Sequence, residues 1–154
     1  MRIEYIADHP ELLPMIASWI FEEWWRVNPD NSIDIVEGRL REAMNRDKLP
    51  LTLIAFSDST PVGAASLIHY DMESRKDLSP WLAAVYVLPE HRGKGVGSQL
   101  VHTAVEKAQE LGVGTLYLFT SKQEKLYTRL GWSVLERKDN GKEKITIMSI
   151  QRKV

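Results

Sequence analysis

The segment from Trp81 to Leu111 constrains the fold more than any other part of this sequence. It opens with a nearly continuous apolar run, Trp81 to Leu88, which predicts a central β-strand covered on both faces. A glycine-rich turn at residues 93–97 follows, and apolar residues then recur at helical spacing up to Leu111. A buried strand, a glycine turn and an amphipathic helix in immediate succession predict an α/β arrangement with a ligand at the turn.

Glycines alternate through this turn at positions 93, 95 and 97. Because glycine has no Cβ, the backbone N–H groups of the turn can converge and approach a ligand closely. The unpaired N–H groups of the first helical turn point the same way, with the positive end of the helix dipole behind them. Arg92 and Lys94 add full positive charges. The turn therefore predicts a site for a phosphorylated ligand such as a diphosphate.

Spacing excludes two common phosphate-binding motifs. The P-loop pattern requires Gly-Lys followed by Ser or Thr, whereas Gly93-Lys94 is followed by glycine. The dinucleotide pattern requires G-x-G-x-x-G, whereas residues 93–97 read G-x-G-x-G and lie too late in the chain to open a Rossmann domain. A glycine-rich turn that binds nothing is the remaining structural alternative.

Hydrophobic periodicity and turn residues predict the other elements. The predicted order is β-α-α-β-β-β-α-β-α-β-β, in one domain spanning residues 1–154. Trp24 is expected on the buried face of the first helix, and Ser32 and Ser121 are expected to cap the second and fourth helices. Asn140-Gly141 predicts a hairpin turn between the last two strands.

Composition narrows the function classes. The net charge of −1 argues against nucleic acid as the main partner, and no stretch approaches the ~20 apolar residues of a membrane span. Cysteine is absent, which excludes a thiolate nucleophile and a cysteine zinc site and fits a reducing, cytoplasmic location. Residues 1–80 carry a net charge of −6 and residues 81–154 a net charge of +5, a split that would direct an anionic ligand to the second half.

The segment Arg92-Gly93-Lys94-Gly95-Val96-Gly97 resembles the R/Q-x-x-G-x-G/A signature of the GNAT superfamily of N-acetyltransferases. The similarity extends to the order of elements and to the late segment Tyr127 to Trp132, so it covers nearly the whole chain. It implies a mixed, mostly antiparallel sheet of about six or seven strands with helices on both faces, an α/β fold of three layers. It also implies acetyl-CoA as acyl donor, without a metal, and acetyl transfer to an amine by direct attack in a ternary complex.

The resemblance assigns the donor site residue by residue. The pyrophosphate of CoA is expected on the backbone amides of Arg92, Gly93, Lys94, Gly95, Val96, Gly97 and Ser98. The pantetheine arm is expected to pair with the preceding strand through backbone groups of Val85 and Val87. Many members carry an asparagine after the next strand, whereas this chain has Thr120-Ser121, whose hydroxyls are the expected substitutes.

The catalytic acid expected from the resemblance is Tyr127, which would protonate the departing CoA sulfur. The general base is not assigned, because the strand before the glycine turn contains no carboxylate. Glu22, Glu23, His69 and Asp71 are the candidates, and each is also explained as a solvated surface residue.

The amine acceptor is expected near the first two helices, where Glu22, Glu23, Trp24 and Trp25 combine carboxylates with aromatic rings. This combination suits a cationic or aromatic amine, through charge pairing and cation–π contact. A small molecule is expected rather than a protein lysine, and a homodimer is left open. Two other functions stay open: a non-catalytic acetyl-CoA sensor of the same fold, and a transferase for a different acyl-CoA.

Overall fold

The computed structural model of the protein describes residues 1–139 and 141–152. Its seven strands form one sheet in the order β1-β2-β3-β4-β5-β7-β6. All neighbouring strands are antiparallel except β4 and β5, which are parallel. The strands are β1 (Arg2–Tyr5), β2 (Leu51–Ser57), β3 (Thr60–Ile68), β4 (Trp81–Val87), β5 (Thr115–Thr120), β6 (Ser133–Asp139) and β7 (Lys144–Gln151).

Four α-helices connect these strands: α1 (Leu13–Ile20), α2 (Ile33–Glu42), α3 (Val96–Glu110) and α4 (Glu124–Arg129). The predicted order of elements and the mixed, mostly antiparallel sheet are confirmed. Ser32 caps α2 as predicted, because its hydroxyl oxygen accepts a hydrogen bond from the Ile35 N–H at 3.4 Å. Gly112 follows α3 with a φ of 85°, the left-handed conformation that ends a helix.

The sheet separates two apolar cores. On one face, α3 and Tyr127 of α4 pack against strand residues such as Leu53, Leu67 and Leu118. On the other face, α1 and α2 pack against Ile54, Phe56 and Ala64. These strand residues alternate along the sequence, as a sheet covered on both faces requires. Helices therefore lie on both faces, as predicted.

Trp24 does not lie on the buried face of the first helix, so that prediction is wrong. α1 continues into a π-helical turn, Phe21–Trp25, in which the Arg26 N–H donates to the Phe21 carbonyl. The wider turn inserts one extra residue, so the 3.6-residue spacing from α1 no longer applies. Trp25 packs instead against the core between α1, α2 and the sheet, and the Trp24 side chain is 44% exposed.

Ser121 does not cap α4. The N-cap residue of α4 is Gln123, which has no side-chain capping bond. The Thr120 hydroxyl oxygen accepts hydrogen bonds from the N–H groups of Lys122 (3.3 Å) and Gln123 (3.0 Å), in the turn before the helix. The predicted hairpin is confirmed by antiparallel pairing of β6 with β7, from Asp139↔Lys144 onward. Asn140 itself lies outside the described residues, and Gly141 has a φ of 88°. Within the described part of the chain, no helix has the length and apolar character to cross a membrane.

Gly63 of β3 is required by close packing. A Cβ at this position would lie 2.8 Å from the Tyr86 carbonyl oxygen and 3.1 Å from Cδ1 of Leu100. We expect Gly63→Ala to lower the free energy of unfolding by about 1–3 kcal/mol, because the backbone of β4 cannot move away freely.

Urea unfolding measures this effect, and Gly38→Ala is the matched control. Gly38 lies inside α2 with no atom within 4 Å of its added methyl group. Alanine there should raise the free energy of unfolding by about 0.5–1 kcal/mol through helix propensity. Equal effects of the two substitutions would contradict the packing at Gly63.

Candidate functional site

The sheet opens between β4 and β5. Their backbone pairing is limited to Trp81↔Tyr117, the first residue of β4 and the third of β5, and the Tyr117 N–H also donates to the Pro80 carbonyl at 3.0 Å. Meanwhile β4 stays paired with β3 up to Val87, and β5 stays paired with β7 up to Thr120. The facing edges of the two strands therefore separate toward their carboxyl ends, and over the described residues no other strand fills the gap. An extended ligand can pair with such an edge.

A β-bulge lies in the middle of β4, beside this opening. Ala84 has a φ of 53°, and the register with β3 shifts between Ser66↔Ala83 and Ala64↔Tyr86. Positive φ costs an alanine roughly 1 kcal/mol, so the surrounding packing must hold it in place. The bulge redirects the backbone groups of β4 at this point. Val85 packs on the α3 side after it, and Tyr86 faces the α1 side.

The glycine turn lies where β4 ends. Gly93 and Gly95 have φ values of 75° and 85°, and no atom lies within 4 Å of a Cβ built on either residue. Gly95 is the N-cap of α3 and has no side-chain oxygen to pair with the first-turn amides. Throughout the described residues, no protein acceptor is recorded for the N–H groups of residues 93–98. The turn thus offers open space and unpaired donors, which fits a diphosphate.

The two cations of the turn have different roles. The Arg92 Nε donates to the Val87 carbonyl oxygen at 2.8 Å, and its Cζ lies 5.5 Å from the centroid of the Tyr86 ring. Arg92 thereby fixes the turn to the end of β4. Lys94 is exposed and forms no ion pair with any described residue, so its charge is available to a ligand.

Tyr127 lies on α4 against the α3-side core. Its side chain is 8% exposed, and its ring meets that of Trp132 edge-on, with centroids 6.0 Å apart. Burial raises the pKa of the Tyr127 phenol to about 12. The phenol is therefore protonated at neutral pH. Among the described residues, its hydroxyl group forms no hydrogen bond with another protein group. This is the state that a proton donor requires.

Thr120 is predicted to contact the cofactor through its hydroxyl group. That oxygen already accepts two backbone hydrogen bonds, from Lys122 and Gln123. Its remaining capacity is the hydroxyl proton, so a contact with a ligand would have to be a donated hydrogen bond.

Aromatic rings cover the other face of the β4 bulge. The Tyr86 ring centroid lies 5.7 Å from that of Trp19 and 6.2 Å from that of Trp24. Trp25, the next residue of the π-helical turn, stacks under the Arg39 guanidinium, with 4.6 Å from Cζ to the ring centroid. Tyr86 and Arg39 carry no signal in the sequence, since each fits an ordinary strand or amphipathic helix, whereas Trp19 lies in the helical region expected to bind the amine.

The four candidates for a general base differ in their surroundings. Glu22 forms a 3.2 Å ion pair with Arg26 on the protein surface, and Glu23 and His69 are exposed. Asp71 is half-buried in the bend after β3. Burial raises the pKa of Asp71 to about 7, although the nearby Arg39 charge lowers it. Asp71 is therefore the candidate whose pKa lies nearest to neutral pH, where a general base must both accept and release a proton.

Asp71→Asn should make stability less dependent on pH. The pKa of Asp71 is raised from 3.8 to about 7 in the folded protein. Its protonated carboxyl group therefore makes its full contribution to the free energy of unfolding below pH 4, and this contribution is lost as pH rises through 7. We expect the variant to have a higher free energy of unfolding than the wild type at pH 8, by on the order of 1 kcal/mol, and a similar one at pH 4. Urea unfolding at both pH values measures this, with Glu73→Gln in the same loop as the exposed control. Parallel pH profiles for wild type and Asp71→Asn would contradict it.

The gap between β4 and β5, the bulge at Ala84 and the glycine turn form one continuous candidate site at the end of β4. A sequence model of the Acetyltransferase (GNAT) family matches residues 6–132. The chain belongs to the GNAT acetyltransferase family, which confirms the resemblance found in the glycine turn.

Two curated relatives are amino-acid acetyltransferases. That of Aeromonas salmonicida is 27% identical over 127 residues, which are 82% of this chain and 28% of the relative. That of Mannheimia succiniciproducens is 25% identical over 153 residues, 99% of this chain and 31% of the relative. The chain thus spans about a third or less of the length of these proteins.

Two solved structures share the fold over nearly their full length. An aminoglycoside 6'-N-acetyltransferase complexed with coenzyme A superposes with a TM-score of 0.75 at 18% identity, covering 98% of this chain and 97% of that one. A spermidine N-acetyltransferase from Vibrio cholerae superposes with a TM-score of 0.71 at 18% identity, covering 98% and 95%. At this level of identity, the similarity establishes the fold.

Proposed function

We propose that the chain is an acetyl-CoA-dependent N-acetyltransferase that acetylates the primary amine of a small molecule in a ternary complex. The observation that carries this proposal is the opening between β4 and β5, which has unpaired amides of the glycine turn at its mouth. The family of the chain, the coenzyme A complex of a structural neighbour and the small amine substrates in the relatives' names support it.

The donor site is proposed along this opening. The amides of residues 93–98 would hold the diphosphate of CoA, with Lys94 adding charge. The free edge of β4 at Val85 and Val87 would pair with the pantetheine arm, and the Thr120 hydroxyl would donate to the cofactor. Acetyl-CoA, when bound, supplies an acyl group activated as a thioester.

The chain's own residues would then supply the acid and the binding of the amine. As the amine nitrogen bonds to the carbonyl carbon and the C–S bond breaks, Tyr127 would give its phenol proton to the departing sulfur. The proton that the amine loses would pass through water and restore the phenol. A backbone N–H near the Ala84 bulge would stabilise charge on the carbonyl oxygen, since the bulge turns amide groups of β4 out of the ladder. The aromatic residues over the bulge, with Glu22 and Glu23 at their rim, would bind the acceptor.

An acetyl-CoA thiol-release screen tests the proposed function. The amines offered should include amino acids, polyamines, aminoglycosides, arylalkylamines and lysine peptides, with propionyl-CoA as a second donor. Turnover with a small amine is the expected result. Thermal stabilisation by acetyl-CoA without thiol release from any amine would favour the sensor alternative instead, and a preference for propionyl-CoA would favour the other acyl donor.

A further inference from the structure

Trp19, Trp24 and Tyr86 form an aromatic cluster whose rings all keep some contact with solvent. The Tyr86 ring centroid lies 5.7 Å from that of Trp19, with 32° between the ring planes, and 6.2 Å from that of Trp24, which meets it edge-on at 80°. Trp19 and Tyr86 are half-buried, and Trp24 is 44% exposed. Tryptophan is mostly buried in folded proteins, so a joined aromatic surface left open to solvent indicates contact with a ligand.

Tyr86 places this cluster beside the proposed reaction centre. It lies on β4 between Val85 and Val87, whose backbone is proposed to pair with the pantetheine arm, and it follows the bulge at Ala84. Ala84 packs in the same apolar core as Trp19, so the cluster and the bulge share the α1 side of the sheet. An acceptor whose nitrogen reaches the bulge therefore has aromatic rings within reach of the rest of the molecule.

The charged residues that contact or adjoin the cluster disfavour a polycation. The Arg92 guanidinium lies over the Tyr86 ring, with 5.5 Å from Cζ to the ring centroid. Glu22 is already paired with Arg26 at 3.2 Å, and the next residue, Glu23, has no ion-pair partner among the described residues. One unpaired carboxylate beside a fixed cation suits a ligand with a single ammonium group, since Arg92 would repel each further one.

An aryl group on the acceptor matches the aromatic cluster better than an aliphatic chain or a sugar does. Packing a phenyl ring on aromatic surface strengthens binding by about 10-fold or more, through the area removed from water and the preferred ring geometry. A short aliphatic amine would leave the rings exposed. A sugar would bring hydroxyl groups that lose water against the rings without gaining partners.

We propose that the aromatic cluster selects an arylalkylamine as the acceptor, a primary monoamine whose ring packs on Trp24 and Tyr86 while its nitrogen reaches the bulge at Ala84. This inference rests on the proposed transferase function and adds the substrate class. Trp24 and Tyr86 determine specificity for the aryl group, and Trp19 supports the Tyr86 ring from α1. The class differs from the aminoglycoside, spermidine and amino-acid acceptors in the relatives' names.

The test compares amines with and without an aromatic ring. 2-Phenylethylamine is offered beside n-butylamine, a monoamine that has no ring, and spermidine, which carries further ammonium groups. We expect kcat/KM of the wild type to be at least about 10-fold higher for 2-phenylethylamine than for either of the others. Trp24→Ala should reduce the preference for 2-phenylethylamine over n-butylamine to about twofold or less, because the exposed ring is lost.

Two further variants and a control make this test specific. Tyr86→Leu should reduce the preference in the same way, whereas Tyr86→Phe, which keeps the ring, should retain it. Leu135→Ala is the matched control, because Leu135 is 47% exposed but lies on β6 at the far edge of the sheet, and it should keep the wild-type preference. Equal kcat/KM for 2-phenylethylamine and n-butylamine in the wild type, or an unchanged preference in both Trp24→Ala and Tyr86→Leu, would overturn the proposal.

Calorimetric titration separates this proposal from the transferase function. 2-Phenylethylamine and n-butylamine are titrated into the wild type and Trp24→Ala, with and without coenzyme A. If no amine is acetylated, tighter binding of 2-phenylethylamine that is lost in Trp24→Ala still supports the aromatic cluster as an aryl-binding site. If spermidine or an aminoglycoside is acetylated while 2-phenylethylamine is neither preferred nor bound more tightly than n-butylamine, the transferase function stands and this proposal fails.

Discussion

Gly95→Ala is expected to weaken acetyl-CoA binding by about 10- to 100-fold, the cost of losing one or two charge-assisted contacts. Two effects combine. The new Cβ projects into the open space of the glycine turn, where no protein atom lies within 4 Å and where the diphosphate is proposed to sit. In addition, the φ of 85° at Gly95 is unfavourable for alanine, so the turn would shift and its amides would no longer converge.

Gly112→Ala is a close control for this substitution. Gly112 has the same φ of 85°, also has no atom within 4 Å of a new Cβ, and lies at the other end of α3. Both variants should lose a similar free energy of unfolding, about 1–2 kcal/mol, from the backbone conformation alone. Isothermal titration with acetyl-CoA should separate the two variants, because contact with the diphosphate is proposed only at the Gly95 end of α3. Gly95→Ala should bind acetyl-CoA more weakly than Gly112→Ala. Equal affinities for the two variants would rule out a diphosphate at the turn.

Tyr127→Phe is expected to lower kcat by about 100-fold while acetyl-CoA affinity changes less than about twofold. The substitution removes the phenol proton and leaves the ring, which packs against Trp132 and the α3-side core. Because the pKa of Tyr127 is raised to about 12, the wild-type phenol keeps its proton up to about pH 10, and deprotonation of Tyr127 should not limit activity below that pH.

Steady-state kinetics with acetyl-CoA and the best amine from the screen measure this effect. Tyr5→Phe is the control, because it removes the same group from β1 at the far edge of the sheet. A Tyr127→Phe variant with wild-type kcat would exclude the acid role. Loss of acetyl-CoA affinity in parallel with kcat would instead assign Tyr127 to binding.

The sequence predicts those elements of the fold correctly in which the local residue pattern favours the same structure as the packing of the folded chain. The apolar run of β4, the alternating glycines after it and the helical spacing of α3 each have one physical explanation, and the structure has all three elements in place. The same holds for Ser32, whose hydroxyl caps α2 as its position before an apolar helix predicts.

The differences arise where neighbouring elements override local preference. Trp24 fits the spacing of α1, but the π-helical turn adds a residue that no sequence pattern specifies. The half-buried Trp25 packs against the core in its place. Ala84 adopts a positive φ although alanine disfavours it, because pairing with β3 and packing on both faces fix the bulge. Ser121 does not cap α4 because the helix begins only at Glu124, and the Thr120 hydroxyl oxygen accepts the Lys122 and Gln123 N–H groups in the turn before it.

The candidate acceptor site is the part least accessible from sequence. Asp71 can be chosen as one of four candidates for a base, but its half-buried position is set by the fold and has no pattern in the sequence. Arg39 has no distinguishing pattern, because an exposed arginine on an amphipathic helix is usually a solvated residue. Its contact with Trp25 forms only when the chain is folded.

The single backbone pairing between β4 and β5 has a consequence for how the domain responds to a ligand. Strands β1 to β4 and strands β5 to β7 each form a continuous hydrogen-bonded unit, joined at Trp81 and Tyr117 and through the packing of α3. An extended ligand in the gap would supply the missing ladder and make the two units one. Of the amide hydrogens of Ala83 to Val87 and of Leu118 to Thr120, those that point into the gap are then the ones whose deuterium exchange should slow most.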